Sequence, residues 1–124
     1  MAKSELLCGY SAAVLRRVLD SLVGKIEDLE KEGLATVTVS KLSEYNSSFE
    51  YFLSELEAIV NNLEYSCRGI DRDEFEKLKS YARIIRLELK DAIKRRDVKA
   101  LEGAHLDAVT MKHYIPTALR RTES

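Results

Sequence analysis

Glu102 and His105, in the stretch EGAH, stand at the Glu-x-x-His spacing that lets a carboxylate and an imidazole on one helix reach the same metal ion. A di-iron bundle needs two such pairs and two further inward glutamates. The second histidine, His113, has Thr110 rather than Glu three residues before it. His105 also falls on the apolar edge of its segment, so the pattern predicts a boundary histidine, hydrogen-bonded locally, and no metal or other cofactor is expected.

Other catalytic signals are missing. The chain has no Gly-rich phosphate loop and no nucleophile elbow. Acids are plentiful, but none stands in an apolar stretch that would raise its pKa for general-acid work. The expectation is therefore a protein that is not an enzyme and takes no small-molecule substrate. Cys8 and Cys67 fall at core positions near the same end of the predicted bundle. Two cysteines make no disulfide framework, so they are expected as buried, inert thiols in a reducing cytoplasm, with a disulfide between them the alternative for an exported or unusually thermophilic protein.

The strongest polar feature is a row of cations. Eight of the twenty residues 77–96 are Lys or Arg, against two acids. The chain's net charge is −1, but the halves differ: residues 1–67 carry six basic and eleven acidic residues, and residues 68–124 fourteen and ten. On a helix, Arg72, Lys79, Arg83, Arg86, Lys90 and Lys94 share one flank beside an apolar stripe. Glu50, Glu57 and Glu64 form a matching flank on the preceding helix. Antiparallel packing then predicts the pairs Glu64/Arg72, Glu57/Lys79 and Glu50/Arg86, which fix register as flanking charges do in coiled coils. Arg83, Lys90, Lys94, Arg95, Arg96, Arg120 and Arg121 have no acidic complement in this hairpin and are the candidate contacts for phosphate or nucleic acid. No base-reading motif accompanies them.

The elements that must position these residues follow from hydrophobic spacing. With 33% charged residues, one Pro and five Gly, the composition favours helices. The first helix is expected over 5–32, with Cys8, Ala12, Leu15, Leu19, Leu22, Ile26 and Leu29 as its stripe and Gly33 as its stop. An extended connector precedes a second helix over 40–67, which buries Leu42, Tyr45, Phe49, Phe52, Leu53, Leu56, Ile59, Val60 and Leu63.

The third, over 71–96, opens with the capping-box and staple signal GIDRDEF. Its stripe is Phe75, Leu78, Ala82, Ile85, Leu89 and Ile93. The fourth covers 97–114, with Val98, Leu101, Ala104, Ala108 and Met111 inward, and stops where Ile115-Pro116 disfavours continuation. A single helix over 71–114 is the alternative, because the break at RRD contains neither Gly nor Pro. Six apolar pairs from Leu63/Phe75 to Tyr45/Ile93 align at matched heights, and six more from Leu29/Leu42 to Ala12/Ile59.

The expected fold is all-α: one domain over 1–124, a four-helix, largely up-and-down antiparallel bundle. No run reaches the ~18 apolar residues of a membrane span, and the short apolar stretch LLCGYSAAVL reads as part of the first helix rather than as a signal segment. Leu6, Val14, Val18, Val23, Tyr51, Ile84 and Leu87 lie off the stripes. This surplus predicts a non-catalytic interaction protein, either a self-associating scaffold or a small subunit of a larger assembly. The alternative is a nucleic-acid-binding subunit that uses the basic edge.

Overall fold

The computed structural model describes residues 3–119, which form four helices: α1 (Lys3–Glu32), α2 (Val39–Ser66), α3 (Arg72–Arg95) and α4 (Val98–Ala118). α1 packs on α2 and α4, and α3 packs on the same two, so the helices close a ring around one core. The α1/α4 contacts run antiparallel, from Asp20–Lys112 at one level to Glu30–His105 at another. The architecture is the expected four-helix bundle.

The core repeats the hydrophobic spacing closely. Leu15, Leu19, Leu22, Ile26 and Leu29 of α1 have no exposed surface, and Phe49, Leu53, Leu56, Val60 and Leu63 of α2 are buried with them. On α3, Ala92 takes the inward position expected of Ile93, which lies half-buried beside it. Over several turns the true helical period drifts away from a heptad stripe. Val98, expected inward, is 47% exposed, because it sits in the first turn of α4 beyond the end of the core.

The helix ends explain the connections. Gly33, at φ 97°, closes α1 by donating its N–H to Leu29 O, a left-handed position that suits glycine. Residues 34–36 then turn instead of running extended, and Leu34 and Val37 plug this end of the core. Thr38 caps α2 by accepting from Lys41 N. Asp71 caps α3 through the amides of Asp73 and Glu74.

α3 and α4 are separate helices. Arg96 itself takes the left-handed conformation, at φ 51°, and Asp97 caps α4 through the amides of Lys99 and Ala100. α4 does not stop before Pro116. It continues to Ala118 because Ile115 and Leu119 are both buried, and their packing offsets the backbone hydrogen bond that proline cannot make.

Candidate interaction surface

The outer seam between α1 and α2 opens into a groove. Leu7, Tyr10 and Val14 form one bank, Ala58, Asn62 and Tyr65 the other, around an open groove of about 780 Å³. Tyr65 is 76%, Tyr10 69% and Leu7 53% exposed, so three large side chains stand in solvent around it. No charged side chain is among the described residues lining it. Val14 also borders a second depression of about 250 Å³ toward the middle of the bundle, where Arg17 on α1 and Glu55 on α2 occupy opposite banks beside Tyr51 and Phe52. The described lining of the first groove offers no acid, base or anion cradle. It is neutral and largely apolar, the kind of exposed surface that contacts other apolar surfaces in proteins generally.

Val14, Val18 and Tyr51, singled out as surplus in the sequence, line these grooves. Val23 packs against the core instead. Ile84 and Leu87 are exposed on α3, away from the seam, and the side chain of Leu6 lies outside the described residues. Leu7, Tyr10 and Tyr65 were not legible as part of the patch. The signal that would have found the α1 bank is the line Leu7, Tyr10, Val14 and Val18, whose steps of three and four make one helical ridge.

The groove ends at a covalent cross-link. Cys8 and Cys67 are not free thiols: they form a disulfide joining α1 to the C-cap of α2, with Cα atoms 4.7 Å apart. The two positions share one end of the bundle, so a bond between them closes without moving either helix.

The charged edge of α3 divides into paired and unpaired groups. Arg72 reaches Glu64 at 3.1 Å, and Arg86 reaches Glu50 at 2.8 Å. Glu57, however, does not pair with Lys79. Arg86 takes it as well, Nε donating to Oε1 at 2.6 Å. Its planar guanidinium has enough donors to bridge two carboxylates two turns apart on α2, which a single ammonium cannot do. The hydrogen bond to Glu50 is the main cause that holds Arg86 charged beyond its ordinary range, with Glu57 adding to it against the cost of burial. Lys79 lies 3.9 Å from Glu76 and 5.3 Å from the centre of the Phe75 ring. Glu57 and Lys79 still face one notch of about 120 Å³, so the two flanks do meet.

Arg83, Lys90, Lys94 and Arg95 are exposed and make no ion pair among the described residues. Arg96 does not belong with them. Its guanidinium donates to Val37 O at 2.7 Å and Leu34 O at 3.0 Å, fastening the α3–α4 turn to the α1–α2 connector. Arg120 and Arg121 lie outside the described residues. His105 is a boundary residue, its Nδ1 2.8 Å from Glu30 Oε1 on α1, and Glu102 is turned to solvent.

One acid contradicts the expectation that no carboxyl is perturbed. Glu88 is half-buried between α3 and α4, with Oε1 enclosed and unpartnered. Burial pushes its carboxyl up to about 7, and Asp107 adds to this as hydrogen-bond partner and like charge. A Cβ at Gly103 would collide with Glu88 Oε2, so glycine there makes the space for the carboxyl. Glu88 stands in a charged stretch of sequence, and the neighbours that perturb it, Gly103 and Asp107, come from α4.

Among known proteins, the chain matches no family model, no curated protein and no solved structure, so its function has to be read from its own geometry.

Proposed function

We propose that this is a non-catalytic helical interaction protein that self-associates through the outer α1/α2 groove. The observation that carries the reading is the uncharged groove ringed by exposed Leu7, Tyr10 and Tyr65. A second copy is favoured as occupant by Arg17 and Glu55, one cation and one anion on opposite banks with no ion pair among the described residues. A two-fold axis between them brings each arginine onto the other copy's glutamate, so a symmetric contact meets opposite charge and no like charge there.

Sedimentation velocity over a wide concentration range tests this. The expected result is a monomer–dimer equilibrium that Tyr65→Asp shifts to monomer without loss of helicity. A strict monomer throughout overturns self-association and makes a different protein the occupant of the groove.

A second reading is supported by Arg83, Lys90, Lys94 and Arg95, which face solvent with no ion pair among the described residues. They suit phosphates of a nucleic acid, each contact contributing about −0.9 to the log–log salt dependence on duplex DNA. A gel shift at low salt with generic RNA and DNA decides it, and no shift ends it. The placement in a reducing cytoplasm rested on free thiols. The Cys8–Cys67 bond removes that basis and favours an oxidising compartment, or the interior of a hyperthermophile.

A further inference from the structure

We propose that the Cys8–Cys67 disulfide is the clamp that keeps the first turns of α1 in place as one bank of the groove, so that the contact surface exists only in the oxidised protein. The inference rests on the groove being the contact face and adds its regulation. Leu7, Tyr10, Ser11 and Val14 all belong to the segment next to Cys8, and Tyr65 and Ser66 of the opposite bank immediately precede Cys67. The bond therefore joins the two banks at the groove's own end.

Among the described side chains, little apolar bulk on α1 holds this segment. Its described inward residues are Cys8 and Ala12, 7% and 5% exposed, and the first large described side chain in the core is Leu15, with no exposed surface. A helix end held by two small side chains buries little apolar area and is drawn from the low-stability part of a fold. From Leu15 onward α1 is anchored by leucine and isoleucine at every inward position. Opening the bond thus frees the residues before Leu15 and leaves the remaining bundle assembled.

The chemistry is thiol–disulfide exchange. One thiolate of a dithiol attacks one sulfur and releases the other cysteine, its second thiolate then attacks the mixed disulfide and releases the first, and two electrons and two protons end on Cys8 and Cys67 while the reductant leaves as a cyclic disulfide. Both cysteines are buried, so attack waits on partial opening of the α1 end.

Hydrogen exchange on the full chain, with and without dithiothreitol, tests the clamp directly, whether or not a second copy binds. On reduction, protection of amides 7–14 should fall at least tenfold further than that of amides 53–63, which report the loss of global stability. Cys8→Ala with Cys67→Ala should reproduce the pattern without reductant. Unchanged protection at 7–14, or an equal fall in both segments, overturns the inference, the latter because the bond would then hold the first turns of α1 no more than the rest of the fold. In parallel, sedimentation should find the reduced chain monomeric at concentrations where the oxidised chain is dimeric. A dimer that persists after 7–14 has lost protection also overturns it. An oxidised chain that is already monomeric sinks the self-association reading alone, and the exchange data still decide the clamp.

Discussion

The two ends of the bundle are fastened by different chemistry. At one, Cys8 and Cys67 join segments 59 residues apart by a covalent bond. At the other, Arg96 joins segments 59 to 62 residues apart through hydrogen bonds to backbone carbonyls. The Arg96 end is also filled: Leu34 and Val37 fold under the helices as a plug. Their carbonyls need donors once the chain has turned inward, and a guanidinium supplies several from one point. At the cysteine end the described inward side chains of α1 are the small Cys8 and Ala12, and there the groove opens. An end with a buried plug can be held by hydrogen bonds, whereas the end where α1 contributes small described side chains carries a covalent link and leaves apolar surface available to another molecule.

The contrast can be broken most directly at the covalent end. Replacing both cysteines by alanine should lower the unfolding free energy by about 4 kcal/mol, the chain-entropy value for a loop of this length. Urea denaturation of the double variant against the oxidised wild type measures it.

At the other end, Arg96→Ala should cost about 2 kcal/mol, because charge-assisted hydrogen bonds are lost and partly buried carbonyls are stranded. Arg96→Gly sharpens the point. Glycine relieves the left-handed backbone and should recover about 1 kcal/mol relative to alanine, still short of wild type. Equal losses at the two ends would erase the distinction between them.

The smallest effect lies between the ends, at Glu88. The folded carboxyl keeps its proton up to about pH 7, whereas an unfolded glutamate releases it near its usual 4.5. The native state therefore binds more protons between these values, and the stabilisation present below pH 4.5 is lost as pH rises through 7. Because the group is only half-buried, the loss should be on the order of 1 kcal/mol rather than the full value of such a shift. Glu88→Gln should flatten this part of the profile in denaturation at pH 5 and pH 8. Identical slopes in wild type and variant would remove Glu88 from the account.

Four helices, their inward stripes and the meeting of the α2 and α3 flanks were legible in the sequence. A 3.6-residue repeat is a property of one helix at a time, and Gly33 and Asp71 mark helix boundaries through their own backbone preferences and capping chemistry. Pro116 misled because the preference against continuing through proline is weaker than the burial of Ile115 and Leu119 on either side.

What only the tertiary structure decided are the events between helices. Arg86 rather than Lys79 claims Glu57, Arg96 leaves the basic edge to tie two turns together, Glu88 meets Asp107 over Gly103, and two cysteines become one bond. Each depends on axial offsets and rotations of neighbouring helices over distances of an ångström or two. Hydrophobic periodicity fixes which face turns inward, but it does not fix where along that face a given side chain meets its neighbour.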